Sequence, residues 1–344
     1  MSDTPETPGP DATVTLRELS QETVVSFIDM KVADNQTHFV APNAVSIAQA
    51  YYEPKAWFRG IYADETPVGF IMLSDDPDKP EYFLWRFMIG AEHQGKGYGK
   101  QAIQRLVEYV KTRPGARELL VSYVPGEGSP EGFYLKQGFV PTGEEDEGEL
   151  IARMTLTDEP APPPATEKKT NEAEPAPEEA PAAPPAPGPD ATVTLREVTS
   201  DNLRPVLRVK VAENQTRFVA NNAISIAQAY YEPKAWFRAV YADETPVGFV
   251  MLYEDPDEPR YYLWRFMIGA DHQGRGFGRQ AIQQLVEYVK TRPGATVLEL
   301  AYVPGEGGPE GFYRKLGFQP TGEERHGELV AVLHLDGGAT TQVN

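Results

Sequence analysis

Near the start of the chain, ATVTLRE alternates apolar and polar positions with the two-residue period of a half-buried strand. The period then changes. From Ser20, able to cap a helix, Val24, Phe27, Ile28 and Val32 recur at helical spacing and predict a helix through about Val32. Asn43 predicts the cap of a second short helix, AVSIAQAYY, that stops before Glu53-Pro54. AWFRGIYA and PVGFIMLS read as strands joined by the turn DET, and YFLWRFMIG as a nearly continuous apolar strand from a sheet's centre. A helix over Lys100–Thr112 follows, with Ala102, Ile103, Leu106, Val107 and Val110 on one side and Arg113-Pro114-Gly115 as its stop. ELLVSYV is a strand, SPEGFYLKQ a helix whose Pro130 suits a first turn, and GELIARMTL a closing strand, with a further short strand near Phe139–Thr142. This order makes a mixed sheet with helices on both faces.

The same pattern occurs twice. PGPDATVTLRE begins at Pro8 and Pro187, AYYEPKAWFR at Ala50 and Ala229, and LVEYVKTRPGA at Leu106 and Leu285, always 179 residues apart. One domain has been copied without a gap. The expected organisation is a disordered N-terminus (1–11), a first domain (12–157), a flexible Pro/Ala/Glu-rich linker (158–190), a second domain (191–335) and a disordered tail (336–344). Fully extended, such a linker reaches on the order of 100 Å and imposes little on domain orientation. Pairing of the two domains within the chain, or of two chains as a homodimer, is compatible with it.

Charge changes the picture of what the domains meet. The chain's net charge of −19 opposes affinity for nucleic acid or an anionic membrane and favours a cationic partner. Residues 1–157 carry 14 basic and 24 acidic side chains, residues 191–344 carry 16 and 19, so the copies present different fields. There is no cysteine, which removes disulfides and thiolate chemistry. The N-terminus lacks a secretory pattern and no run is long enough to span a membrane, so a cytoplasmic protein is expected. No His/Asp/Glu cluster repeats at metal-ligand spacing, and no metal is expected.

Between the buried strand and the long helix stands Gln94-Gly95-Lys96-Gly97-Tyr98-Gly99, repeated as Gln273-Gly274-Arg275-Gly276-Phe277-Gly278. Glycines here admit positive φ and let several N–H groups face one anion at a helix N-terminus. A phosphate-binding turn is the natural reading, and a plain tight turn the alternative. It is neither a Rossmann turn nor a Walker loop, lacking the context of either.

The Q-x-x-G-x-G form after the fourth strand resembles the acetyl-CoA pyrophosphate loop of the GNAT N-acetyltransferase superfamily, and the resemblance covers nearly everything outside the linker. It implies an α+β (mixed α/β) chain of two GNAT-like domains, each a mostly antiparallel central sheet of six or seven strands flanked by about four helices. It also implies that Gln94, Gly95, Lys96, Gly97, Tyr98, Gly99 and Lys100 hold the pyrophosphate through backbone amides, while Phe87, Met88 and Ile89 pair with the pantetheine arm. In the second copy these are Gln273, Gly274, Arg275, Gly276, Phe277, Gly278 and Arg279, with Phe266, Met267 and Ile268. The motif Y-x-x-x-G-F, at Tyr134–Phe139 and Tyr313–Phe318, resembles the GNAT helix whose tyrosine protonates the departing thiolate, which makes Tyr134 and Tyr313 general acids. Where many relatives have an Asn that contacts CoA, this chain has Glu127 and Glu306.

An attacking ammonium must first lose a proton. Many GNAT relatives use a strand-four Glu, but here the strand opens with Glu81 in one copy and Arg260 in the other. Glu149 and Glu328 on the closing strand are the candidates to bind the ammonium and relay its proton. The segment from Asn35 to Pro54, together with Trp85-Arg86 and Gly148-Glu149, resembles bacterial diamine, spermidine and spermine acetyltransferases, which implies a polyamine acceptor. Tyr51, Tyr52, Trp57 and Trp85 are candidate cation-binding walls or core aromatics. His38 becomes Arg217, and Asp146-Glu147 become Arg325-His326, swaps that weaken polycation binding by the second copy. Alternatives to a two-site polyamine acetyltransferase are an acyl-CoA or polyamine sensing module with one or both copies inactive, or an acetyltransferase for an amine antibiotic or protein amine.

Overall fold

The computed structural model describes residues 8–157, 187–188 and 190–335. Residues 1–7 and 336–344, and the linker apart from Pro187, Gly188 and Asp190, lie outside the described residues, as do the expectations placed on them. The chain divides into two compact units, Met1–Ala182 and Ala183–Asn344.

In the first unit the elements run β1 (Val14–Arg17), α1 (Val24–Ile28), α2 (Asn43–Ala50), β2 (Ala56–Ala63), β3 (Thr66–Asp76), β4 (Glu81–Ile89), α3 (Tyr98–Lys111), β5 (Glu118–Tyr123), α4 (Glu131–Gln137), β6 (Val140–Asp146) and β7 (Glu149–Thr155). The second repeats them as β8 (Val193–Arg196), α5 (Ser200–Arg208), α6 (Asn222–Ala229), β9 (Ala235–Ala242), β10 (Thr245–Asp255), β11 (Arg260–Ile268), α7 (Phe277–Lys290), β12 (Val297–Tyr302), α8 (Glu310–Lys315), β13 (Gln319–Arg325) and β14 (Glu328–His334). Among the described residues each unit holds a seven-stranded sheet, ordered β1-β2-β3-β4-β5-β7-β6 in the first and in the matching order in the second. Neighbours are antiparallel except β4 with β5 and β11 with β12.

Burial follows from the patterns. Ala102, Ile103, Leu106 and Val110 of α3 pack with Ile61, Ile71, Leu84 and Val121 into one core. Phe27, Ile47, Phe70 and Met72 are fully buried but stand outside that cluster, as expected of a sheet whose other face is covered by α1 and α2. The strand near Phe139–Thr142 is longer than expected and forms a hairpin with β7.

Two helix expectations need correction. The helix foreseen from Ser20 to Val32 is only Val24–Ile28, because the chain beyond it is drawn to the turn after β4, where the Lys31 carbonyl accepts from Ala91 N–H at 2.9 Å. Asn43 does not cap α2 but lies inside it, buried, and its Nδ2 donates to the Phe27 carbonyl at 2.9 Å, tying the two helices together. Asn222 does the same to Val206 at 2.8 Å, and there the cap is Asn221, whose Oδ1 accepts from Ile224 N–H at 2.9 Å.

Volume is exchanged between strand and helix from one copy to the other. A Cβ on Gly60 would fall 2.3 Å from Phe27 Cζ, so the ring requires glycine opposite it. The second copy has Val206 for Phe27 and Ala239 for Gly60. Gly60→Ala therefore overpacks the first unit by about 1–3 kcal/mol, and Phe27→Val added to it recovers most of the loss. Hydrogen exchange of the full chain, followed by mass spectrometry, checks this. Gly60→Ala speeds exchange of β2 and β3 by roughly tenfold or more while β9 and β10 are unchanged.

Candidate active site

The parallel ladder between β4 and β5 is short: Tyr82, Phe83 and Leu84 pair with Leu119, Leu120 and Val121, and β4 then continues to Ile89 while β5 ends at Tyr123. A register shift in the β3–β4 pairing at Met72/Leu73 skips Trp85 and bends β4 where the ladder stops. Past this point the edge of β4 makes other bonds. The Trp85 carbonyl accepts from Arg86 Nη1 at 2.9 Å, and the Ile89 carbonyl from Gln94 Nε2 at 2.9 Å. Phe87, midway between them, presents its backbone groups on the same edge by the strand's two-residue period.

The Gly-rich turn closes one end of this splayed region. Gly97 caps α3 at φ 85° and Gly95 has φ 77°, both in the left-handed region. A Cβ on either would meet nothing within 4 Å, so the backbone lies open. The first helical bond in the turn is made by Gln101 N–H to the Gly97 carbonyl at 3.3 Å, which leaves the N–H groups of Tyr98, Gly99 and Lys100 without helical partners. Gly276 and Gly274 repeat the conformation at φ 84° and 76°. Open donors at a helix N-terminus suit an anion such as a phosphate.

The side chains of the turn do other work. Gln94 Nε2 also donates to Gln36 Oε1 at 2.7 Å, so this amide staples the turn to the strand end. Tyr98 is buried and donates to the Pro8 carbonyl at 2.6 Å. Phe277 lacks that hydroxyl, and Arg275 Nη1 reaches Pro187 O instead at 3.0 Å. Met88 points to the helix-α2 side, with Asn43 Nδ2 3.6 Å from its sulfur. Gly99 abuts Phe133 of α4, at 3.2 Å from an added Cβ, and Phe133 stacks on Phe87 with centroids 5.6 Å apart. Phe312 stacks on Phe266 in the same way at 5.9 Å. Sequence reasoning missed these phenylalanines, although their place just before each motif tyrosine was a visible signal.

Tyr134 lies on α4 in the core beside Tyr123, with ring centroids 6.0 Å apart. Burial, and then the charge of Glu149, raises its phenol pKa well above the ordinary value. Ser122 Oγ donates to one oxygen of Glu149. Tyr313 is raised by burial and then by Tyr262, which stands where the first copy has Phe83. Tyr262 is raised in turn by burial and by Glu328. Tyrosine and glutamate thus interact in the first copy, whereas in the second each interacts with Tyr262. Ser122 is replaced by Ala301, so Glu328 lacks the hydroxyl that Glu149 has.

Not every candidate gathers here. Trp57 stacks on Tyr109 at 4.2 Å, and Tyr109 is about 16 Å along α3 from its N-terminus. It is a packing residue. Trp85 lies under Arg86, 5.4 Å from guanidinium carbon to ring centre, at the bend of β4. Tyr51 is exposed and leans on Tyr52 at 5.0 Å. Arg217 Nη2 donates to the Glu306 carbonyl at 3.0 Å, so the second copy ties its helix-side segment to the loop after β12. A groove of about 470 Å³ lies beside α7 and α8, lined by residues that include Arg279, Ile282, Val286, Lys315 and Leu316. Among the described residues no group of three or more His, Asp or Glu is placed to hold a metal ion, and no helix is long and apolar enough to cross a membrane.

Two seven-stranded mixed sheets, each with an open glycine turn leading into a helix, define a tandem α+β architecture. The acetyltransferase (GNAT) family model matches residues 21–139 and 208–318, and the chain belongs to that family of N-acetyltransferases, which use acetyl-CoA. A spermine/spermidine N(1)-acetyltransferase of Bacillus subtilis (strain 168) is 27% identical over 155 residues, covering 42% of this chain and 99% of that protein. A probable spermine N(1)-acetyltransferase of Bacillus subtilis subsp. natto matches to the same extent, 27% over 155 residues, 42% and 99%. The structure of the PaiA N-acetyltransferase of Thermoplasma acidophilum in complex with coenzyme A is 20% identical, covering 42% of this chain and 99% of that one with a TM-score of 0.34.

The turn's geometry makes a direct prediction. Alanine at Gly97 or Gly276 must hold a left-handed conformation that costs about 1–2 kcal/mol. Titration calorimetry of the full chain with coenzyme A should show affinity falling roughly tenfold at the altered site, with the circular dichroism spectrum unchanged.

Proposed function

We propose that the chain is an acetyl-CoA-dependent N-acetyltransferase with two tandem sites, transferring acetyl to a primary amine of a small cationic acceptor, a polyamine. The observation that carries this reading is, in the first domain, the buried Tyr134 of α4 near Glu149 on the closing strand, beside an open turn of backbone donors; the second domain repeats the turn, the tyrosine and the glutamate. The acidic first domain and the spermine- and spermidine-acetylating relatives support the choice of acceptor.

Acetyl-CoA supplies the activated acyl group. The N–H groups at the start of α3 hold its pyrophosphate, and the free edge of β4 at Phe87 orients the pantetheine arm. Tyr134 and Tyr313 keep their protons at neutral pH because burial disfavours the phenolate, and each donates toward the departing sulfur. Glu149 and Glu328 bind the acceptor ammonium and accept its proton, which frees the nitrogen lone pair for attack on the acyl carbon. Ser122 holds one Glu149 oxygen and leaves the other to the amine.

Thiol release by the full chain, assayed with acetyl-CoA and spermine, spermidine or putrescine, tests the assignment. Tyr134→Phe and Tyr313→Phe together lower kcat by about 10²-fold or more, and each alone leaves the other site's share. Loss of all turnover from either single substitution would refute two independent sites. Glu149→Gln in the Tyr313→Phe background lowers kcat/KM for the amine, and an unchanged value would remove Glu149 from this role.

The pH profile follows from the same burial. A phenol pKa raised above its ordinary value of about 10 keeps the acid protonated through the neutral and mildly alkaline range. In the Tyr313→Phe background kcat therefore stays level up to about pH 10. An alkaline fall below that point which disappears in Tyr134→Phe would contradict the assignment.

A further inference from the structure

The two units differ in charge across the half of the sheet formed by β4, β5, β7 and β6, next to the candidate carboxylates. In the first, the β6–β7 register sets Asp146 directly across from Glu149. Like charges facing each other across a strand pair repel, so this arrangement gains from a cation placed between them. In the second, the same register sets Arg325 across from Glu328. Arg325 is held there on two sides. Its Nη1 lies 2.6 Å from Glu299 Oε1 and its Nε 2.5 Å from Glu323 Oε1. Arg260 Nη2 joins the same Glu299 oxygen at 3.3 Å.

Glu299 is the keystone of this cluster, and the first copy has Leu120 in its place. The β11–β12 ladder puts Glu299 beside Tyr262, which is within electrostatic reach of both Tyr313 and Glu328. The network is therefore continuous with the candidate site. Six positions in these four strands and the β6–β7 turn change charge between the copies. Glu81/Arg260, Glu118/Val297, Asp146/Arg325 and Glu147/His326 move toward positive, whereas Leu120/Glu299 and Arg153/Val332 move toward negative.

We propose that the two sites divide their acceptors by charge, the first taking polycations whose second ammonium rests at Asp146 while Glu149 takes the reacting one, the second taking amines with one ammonium. In the second domain Arg325, clamped by Glu299 and Glu323, replaces the carboxylate that would receive that second ammonium. A polycation entering there meets an internal cation with its counter-ions satisfied, and gains nothing from its extra charge. The inference rests on the acetyltransferase reading of Tyr134/Glu149 and Tyr313/Glu328.

The test uses the full chain with one site silenced, Tyr313→Phe to read the first and Tyr134→Phe to read the second. In each background the ratio of kcat/KM for spermidine to that for n-butylamine is measured. The ratio is expected to be at least about tenfold larger for the first site, the effect of one charge-assisted hydrogen bond present there and absent from the second. Arg325→Asp with Glu299→Leu raises the second site's ratio toward the first's, and Asp146→Arg lowers the first site's. Arg325→Asn, a milder change on the same hairpin, moves the ratio the same way by less, and circular dichroism verifies that each variant is folded. Ratios equal within about twofold in the two backgrounds, or a ratio that no Arg325 variant moves, would overturn the division of acceptors. Absence of amine acetylation in both backgrounds would instead overturn the underlying reading of the sites, and the division with it.

Discussion

Every feature of the candidate site depends on the parallel ladder between β4 and β5 stopping after three residue pairs. A parallel pair held along its whole length would satisfy both strand edges and leave no opening at the sheet's centre. By ending at Leu84 and Val121, the ladder leaves a strand edge with backbone groups to spare, next to a helix N-terminus in the same condition. Unsatisfied backbone polar groups are costly inside a protein, and a ligand that pairs with them recovers that cost. Phe133 keeps the opening in shape, because its ring touches both Gly99 at the start of α3 and Phe87 on the strand edge.

Around this shared frame the two copies have changed in different ways. The backbone donors, the α4 tyrosine and the closing-strand glutamate are the same in both. What differs is the company each keeps: Ser122 against Ala301, Phe83 against Tyr262, Leu120 against Glu299. These substitutions surround the tyrosine and the glutamate without replacing them.

Much of the architecture was legible in the sequence because it is written in short-range periodicity. The apolar stripe of α3, the buried run of β4 and the hairpin of β2 and β3 each announce themselves within a dozen residues. The first helix did not, since Val32 fits its apolar stripe while the Lys31 carbonyl is claimed by Ala91, sixty residues later. Asn43 has the chemistry of a cap, and only the folded structure reveals Phe27 as its partner. At the site, the glycine turn and tyrosine were visible as motifs. The clamp on Arg325 was half visible: Arg325 itself reads as added positive charge, but Glu299, one of the two carboxylates that fix it, came from a change on another strand. Pairing of that kind is set by register, which no local pattern carries.

The exchange of volume between Phe27–Gly60 and Val206–Ala239 has a consequence for the history of the gene. Long identical stretches make the two halves natural partners for recombination, which tends to make repeats uniform. A crossover falling between the codons for these two positions would join Phe27 to alanine, with a methyl group 2.3 Å from the ring, or valine to glycine, with a void in the core. Either hybrid is less stable than both parents. The packing of one ring against one glycine therefore couples two positions thirty-three residues apart, so that neither can be exchanged between the halves without the other.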